Sequence, residues 1–277
     1  MKKAFVMIFI LFIAVSLVII TAFYVPLLKN VYDANKLVKA IKAENATEVK
    51  SLLEKNPTCV NTYPTLVPGW AQMRYQFYPL TEACDTGNLE IVILLVEAGA
   101  NVNENKWHTP LSILYVEKPN NWYEISTYLI SKGASLDYSV KSDFSDGVLA
   151  DIVTCRLGEY HEYGEADLNQ IEAAFYYALE HCDHSQVEWE RVMQNSVVYD
   201  RVGITEYLLK NGYCDVNSAI LGTMTPLMFA ARDSTAEVVE LLLAYGADKT
   251  ATDKDGKTAY DYAIEQGYTD LAKLIKP

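Results

Sequence analysis

Residues 225–256 read TPLMFAARDSTAEVVELLLAYGADKTATDKDG, and residues 257–275 begin the same pattern again as KTAYDYAIEQGYTDLAKLI. Four pairs of like residues are separated by 33 positions: Thr225 and Thr258, Ala230 and Ala263, Leu241 and Leu274, and Leu242 and Ile275. This is the period of a repeat built from two helices and a hairpin-like connection, and each such unit buries its apolar face on its neighbour. The sequence therefore predicts an all-α chain of stacked helix pairs.

The opening of this unit also carries a recognisable signature. Residues 225–230 (TPLMFA) resemble the T-P-L-H-x-A motif of ankyrin repeats, with Met228 in the histidine position. Residues 246–248 (GAD) end the second helix as repeats of that family do, because glycine accepts the left-handed backbone of a helix cap. The resemblance implies an ankyrin-repeat solenoid without catalytic activity, which recognises a protein partner through its concave face.

The repeat pattern extends backwards through most of residues 35–277, which we predict to form the ankyrin-repeat domain. Further helix pairs are predicted over residues 37–53, 79–103, 109–134, 146–180 and 186–212. We count about six repeats, two of them stretched by insertions. In this register Cys182 and Cys214 take the small alanine position of Gly-Ala-Asp. Equivalent positions in neighbouring repeats lie about 10 Å apart, beyond the limit for a disulfide, so we expect no bond between them.

The N-terminal segment has a different character. Residues Ala4 to Leu28 include no charged side chain, and a run of this length exceeds the ~18 residues that cross a bilayer. The alternatives are an uncleaved single-span anchor, which the length favours, and a removed signal peptide. Lys2 and Lys3 favour a cytoplasmic N-terminus. We therefore predict that residues 1–30 anchor the chain in the inner membrane of a bacterium, with the C-terminal domain in the periplasm.

The charge of the chain is strongly acidic outside this segment. The formal net charge is −13; residues 1–42 hold six Lys and one Asp, so they carry +5 and the remainder carries −18. Such a surface repels nucleic acid and favours a basic protein partner. The alternative is that the acidic side chains only keep the domain soluble.

Motifs for catalysis are scarce. The sequence has no phosphate-binding glycine loop, no exposed-serine elbow and no Cys-x-x-Cys pair. Residues 157–190 hold nine acidic side chains, no Lys or Arg, and the three histidines His161, His181 and His184. Residues 181–184 (HCDH) are all metal-ligand types, but adjacent residues in a turn rarely point at one ion. We therefore predict no metal, no cofactor and no enzyme. The alternative is a metal-dependent hydrolase that uses the histidines and carboxylates of residues 159–190.

Three segments are predicted to contact the partner. They are the aromatic insertion 62–78, the short finger with Trp107, and the finger before Thr225, because aromatic and apolar side chains on exposed tips mark binding sites. Acidic side chains would steer a basic partner toward them. The predicted contact residues are Tyr63, Trp70, Tyr75, Phe77, Trp107, His108, Glu162, Glu165, Ile220, Leu221 and Met224. The alternative for the insertion is that it folds back and buries its aromatic side chains on its own repeat.

Taken with the N-terminal segment, these features predict a membrane-anchored binding scaffold. Among the bacterial proteins that the chain resembles, some membrane-anchored ankyrin proteins protect the cell envelope, either as immunity factors against a toxin or as partners of stress enzymes. No residue distinguishes these roles.

Overall fold

The computed structural model describes residues 20–64, 78–104, 109–117, 119–136, 147–154, 165–220, 222, 224–233 and 235–277. Within these ranges the regular structure is helical, apart from an isolated antiparallel bridge between Ile220 and Met224. A π-helix spans Ile20–Tyr24, and short 3-10 helices span Pro57–Asn61 and His184–Gln186. The α-helices are α1 (Val25–Lys42), α2 (Ala46–Lys55), α3 (Pro79–Thr86), α4 (Leu89–Glu97), α5 (Pro110–Glu117), α6 (Trp122–Ser131), α7 (Val148–Val153), α8 (Glu165–His181), α9 (Trp189–Val198), α10 (Val202–Lys210), α11 (Pro226–Asp233), α12 (Ala236–Ala244), α13 (Ala259–Glu265) and α14 (Thr269–Ile275).

Capping side chains and prolines in the sequence mark the first residues of several of these helices. The side chain of Asn45 accepts a hydrogen bond from the backbone at the start of α2, and Asn88 does the same for α4. Thr258 and Asp261 form a reciprocal capping box at the start of α13. Helices α3, α5 and α11 each begin with proline, which fits the first turn because no hydrogen bond is lost there.

The chain divides into two compact units, Met1–Leu114 with Pro119–Lys132 and Tyr115–Lys118 with Gly133–Pro277. In the first unit α1 packs on α2 and on α3, while α4 packs on α3, α2 and α6. In the second unit the first helices α7, α9, α11 and α13 contact one another in sequence, and α10 contacts α12. Each unit is therefore a stack in which first helices lie on first helices.

The described residues contain seven helix pairs, where the sequence predicted about six repeats. The two least regular stretches of sequence both form complete pairs. Ile41 and Val49 of the N-terminal pair are fully buried, as are Ile152 and Phe175 of the pair α7–α8. Burial of an apolar face, rather than a match to the consensus, is what makes each of them a repeat.

The glycines predicted to cap second helices do so. Gly246 has a φ of +86° after α12, and the N–H of Ala247 donates to the Leu242 carbonyl over 3.0 Å. Gly99 has a φ of +91° in the equivalent place after α4. A left-handed residue at this point lets the last carbonyls of the helix find donors in the chain that leaves it.

The prediction of a single-span membrane anchor at the N-terminus is wrong. No helix in the described part of the chain is both long and apolar enough to cross a bilayer. Residues 4–19 of the predicted span lie outside the described residues, and from Val25 onward the chain belongs to α1. That helix continues through charged residues to Lys42, and its buried side chains Leu37 and Ile41 belong to the first repeat. This finding overturns the single-pass inner-membrane anchor and the periplasmic location that depended on it.

Candidate protein-binding surface

Most of the predicted contact residues lie outside the part of the chain that the structure describes. These are Trp70, Tyr75, Phe77, Trp107, His108, Glu162 and Leu221. Glu165 is the first residue of α8, and its side chain also lies outside the described part. The role of these eight residues in binding stays a prediction.

Tyr63 and Tyr78, at the two ends of the aromatic insertion, lie against each other. Their ring centroids are 5.2 Å apart in an edge-to-face arrangement, and burial raises the pKa of the half-buried Tyr63. Pro64 is buried, and its carbonyl accepts a hydrogen bond from the Asn35 side chain on α1. The insertion therefore leaves and rejoins its repeat at one place.

Ile220 and Met224 are not the exposed tip residues that the sequence predicted. Ile220 is 3% exposed and Met224 is 7% exposed. The Ile220 N–H donates to the Met224 carbonyl over 2.8 Å, and this bridge closes the loop between them. Arg232 also donates to the sulfur of Met224 over 3.6 Å. Both side chains are therefore covered in the unbound chain, and their role in binding stays a prediction.

A surface that the sequence did not single out lies in the second unit. Four half-buried aromatic residues, Tyr176, Tyr207, Tyr213 and Trp189, form a continuous series that we call the aromatic row. Tyr176 meets Tyr207 edge to face with centroids 5.1 Å apart, and Tyr207 lies nearly parallel to Tyr213 at 6.1 Å. Tyr213 in turn stacks on Trp189 at 4.1 Å. Aromatic pairs of this kind add about 0.5–1.5 kcal/mol each beyond the area they bury.

His184 holds the end of the aromatic row in place. Its Nε2 lies 2.9 Å from the Leu179 carbonyl, so this nitrogen carries the proton and donates to the oxygen. Its Nδ1 then accepts a long hydrogen bond of 3.5 Å from the hydroxyl of Tyr213. The ring also meets Trp189 and Tyr213 edge to face. These contacts fix the imidazole tautomer and the orientation of both neighbouring rings.

Tyr213 belongs to the row because it occupies a position that holds alanine in other repeats. Its N–H donates to Leu208 as that of Ala247 donates to Leu242, in both cases over 3.0 Å. The register predicted for Cys214 is therefore one residue off, and the extra residue projects a large ring. Cys214 is a free thiol that donates to the Trp189 carbonyl, and burial raises its pKa to about 12. Cys182 is likewise a reduced thiol, and it donates to the Leu179 carbonyl over 3.6 Å.

Two carboxylates lie near one end of the aromatic row, at Tyr176. The pKa of Tyr176 is raised, first by burial and then by the nearby charge of Glu172, by Tyr207 and by Glu206. Residues 165–215 contain ten acidic and three basic side chains, and one of the basic ones, Arg201, is buried and donates to the Val153 carbonyl. The surface around the rings is therefore negative, which favours a cation.

The described residues do not assemble the metal site of the alternative hypothesis. They contain no group of three or more His, Cys, Asp or Glu side chains placed to hold one ion. His181 makes a 2.7 Å contact from Nδ1 to the Tyr177 carbonyl, and the Nε2 of His184 is held by Leu179. Residues 159–164, which contributed His161 to the hypothesis, lie outside the described part.

The aromatic row was missed because its members come from α8, α9, α10 and the turn after α10. The periodicity of a single helix cannot predict a cluster whose side chains come from several helices. One signal was present in the sequence: residues 212–215 read GYCD where a capping motif would read GAD, so an aromatic side chain stands in a small-residue position.

Comparison with known proteins finds ankyrin repeats in two parts of the chain. The family described as "Ankyrin repeats (many copies)" matches residues 208–263, and the family described as "Ankyrin repeat" matches residues 75–107. Among solved structures, the crystal structure of the human ASB11 ankyrin repeat domain superposes with a TM-score of 0.61. It covers 87% of this chain and 97% of that one at 21% identity, which establishes likeness of fold alone.

The curated relatives are similar over shorter or more distant stretches. The ankyrin repeat protein FPV244 of fowlpox virus is 32% identical over 92 residues, which are 33% of this chain and 14% of that protein. The Ankyrin repeat and KH domain-containing protein mask-1 of Caenorhabditis elegans is 27% identical over 217 residues, which are 71% of this chain and 8% of that protein. The match to the glycerophosphocholine phosphodiesterase gde1 of Schizosaccharomyces pombe covers 45% of this chain and 10% of that protein. The chain thus spans a small part of the relatives it matches.

Proposed function

We propose that this chain, which carries ankyrin repeats, is a protein-binding scaffold without enzymatic activity and that its partner presents a basic surface. Ankyrin repeats are protein-interaction scaffolds and are typically non-enzymatic. The enzyme names among the relatives carry no weight here, because gde1 is matched over only 10% of its length.

The observation that carries the proposal is the aromatic row together with the carboxylates of Glu172 and Glu206 near Tyr176. Tyr and Trp dominate the residues that contribute most to protein interfaces, because they bury a large area with few rotatable bonds. The four rings of the row are partly exposed and are held on packed helices and on the turn after α10, so little ordering is needed when a partner binds. Their acidic surroundings select for positive charge and accelerate association with a basic partner.

The full chain is suited to a direct test with peptides of opposite charge. A peptide rich in Lys and Arg should bind, a peptide of the same length rich in Asp and Glu should not, and the association rate should fall as salt screens the charges. Calorimetry gives the affinities, and stopped-flow fluorescence gives the rates at low and high salt.

A charge-matched pair of variants locates the surface. Glu172→Gln with Glu206→Gln removes two charges beside the aromatic row, whereas Glu237→Gln with Glu240→Gln removes two exposed charges from α12. The first double variant should slow association more than the second. Equal effects of the two, or binding of the acidic peptide as tight as that of the basic one, would overturn the proposal.

A further inference from the structure

Within the aromatic row, the two rings contributed by the second helices α8 and α10 have carboxylates of their own. Tyr176 and Glu172 are four residues apart on α8, and Tyr207 follows Glu206 on α10. The rings of Tyr176 and Tyr207 meet at 67° with centroids 5.1 Å apart. The charges of Glu172 and Glu206 both act on Tyr176, so side chains of two successive repeats place two rings and two carboxylates near one another.

Gly203 makes room for one of these carboxylates. A Cβ at Gly203 would lie 3.0 Å from the Glu172 Cδ and 3.2 Å from its Oε2. Gly203 has no left-handed backbone angle, so the glycine is not required by the turn of the chain. The absence of a side chain in the first turn of α10 instead allows the Glu172 carboxylate to lie against that helix, where its N-terminal dipole favours a negative charge.

We propose that Tyr176, Tyr207, Glu172 and Glu206 form a receptor for an arginine side chain of the protein partner. The assignment rests on the proposed function and specifies its chemistry. A cation over the face of a tyrosine is attracted by the ring electrons, and nearby carboxylates add to this attraction. Tyr176 and Tyr207 are half-buried, so a cation that binds between them must lose part of its hydration shell.

Arginine suits this surface better than lysine. The guanidinium is planar, stacks on aromatic rings and is less strongly hydrated than an ammonium group, so its partial dehydration costs less. It also presents five N–H donors, which can engage two carboxylates from different helices at once. Lysine offers one compact and strongly hydrated charge with three donors, so its dehydration beside the rings costs more and it cannot stack on them.

The inference is tested with the full chain and two probes, amidated hexa-arginine and hexa-lysine, followed by calorimetry. Hexa-arginine should bind about tenfold more tightly than hexa-lysine, because the guanidinium stacks on the rings and loses its water at a lower cost than an ammonium group does. With 3-fluorotyrosine incorporated, the ¹⁹F signals of Tyr176 and Tyr207 should shift on titration with hexa-arginine, after assignment from Tyr→Phe variants.

Variants separate the receptor from general acidity. Tyr207→Leu should weaken hexa-arginine binding about fivefold or more and should bring it close to hexa-lysine binding. Gly203→Ala is tolerated by a helix and displaces the Glu172 carboxylate, so it should weaken hexa-arginine binding without lowering the thermal midpoint. The control Tyr245→Leu removes an exposed ring on the turn after α12 and should leave both affinities unchanged.

The outcomes distinguish this inference from the proposed function. Equal affinities for both peptides, unchanged by Tyr207→Leu and Gly203→Ala, would overturn the arginine receptor and leave the basic partner standing. A loss of stability in Gly203→Ala without a change in affinity would overturn it too, because Glu172 would then only cap α10. Failure of both peptides to bind would overturn the proposed function together with this inference.

Discussion

Asn217 ties its own repeat to the turn of the next repeat at Gly246. Its Nδ2 donates to the Gly246 carbonyl over 3.1 Å, and its Oδ1 accepts from the N–H of Asp248 over 2.8 Å. Asn61 makes the same two bonds in the first unit, to the Gly99 carbonyl and the N–H of Asn101, each over 2.8 Å. An amide side chain matches this geometry because it carries a donor and an acceptor side by side.

Loss of this amide should weaken the stack in the second unit. Asn217→Ala removes two hydrogen bonds between neighbouring repeats, and we expect about 1–3 kcal/mol of lost stability in urea unfolding. The control Asn211→Ala removes an exposed amide at the end of α10, whose described side-chain hydrogen bond goes to the Tyr207 carbonyl of the same repeat. A loss no larger than that of the control would show that the bonds to Gly246 and Asp248 contribute nothing.

Glycine substitutions should separate backbone strain from steric overlap. A Cβ added at Gly246 would meet no atom of the described residues within 4 Å, so Gly246→Ala should cost only the left-handed strain, about 1–2 kcal/mol. Gly246→Asn should cost less, because asparagine tolerates this conformation. At Gly87 a Cβ would overlap the backbone carbonyl of Asn120 in the next repeat, so Gly87→Ala should cost more than Gly246→Ala. Thermal unfolding of the three variants tests this order, and equal costs at both glycines would contradict it.

The ion pair between Lys42 and Glu82 should contribute to folding stability, because the carboxylate of Glu82 is buried. The two charges are 2.9 Å apart; Glu82 is 5% exposed, whereas the Lys42 side chain is 55% exposed. Lys42→Met leaves a buried carboxylate uncompensated, and we expect about 1–2 kcal/mol of lost stability, discounted for the exposure of the lysine. Adding Glu82→Gln should restore most of the loss in urea unfolding. A double variant less stable than Lys42→Met would refute this account.

Glu104 should make stability fall as pH rises. It is 6% exposed, and burial raises its pKa from 4.5 to about 8. Neither carboxylate oxygen has a described hydrogen-bond partner in good geometry, and the nearby N–H of Thr81 offsets the rise only in part. Between pH 4.5 and 8 the folded state holds a proton that the unfolded chain releases, so folding stability decreases over this window, by on the order of 2–4 kcal/mol.

A conservative variant isolates this carboxyl. Glu104→Gln should flatten the dependence of unfolding free energy on pH between about 5 and 8 and should raise stability at the upper end of this window. The control Glu54→Gln changes an exposed carboxyl on α2 and should leave the slope as it was. A slope unchanged in Glu104→Gln would show that another group is responsible.

The sequence by itself determined the repeat and its local geometry. The 33-residue spacing is visible in the sequence itself, and the proline that starts α11 and the glycine that follows α12 act through neighbours a few residues away. The sequence also predicted the divergent pairs over residues 37–53 and 146–180, in which the structure buries Val49 and Ile152. The uncharged N-terminal run led to a wrong prediction because it was interpreted from its apolar composition. Composition does not reveal that α1 continues into a packed repeat.

Only the tertiary structure decided which side chains meet. Tyr176, Trp189 and Tyr213 are far apart in sequence, and they come together because successive repeats stack with a fixed offset that no spacing rule within one helix contains. The burial of Ile220 and Met224 could likewise not be predicted from the sequence, because it depends on the backbone bridge between these two loop residues. Local backbone preferences therefore specified the repeats of this protein, whereas contacts between repeats created its candidate binding surface.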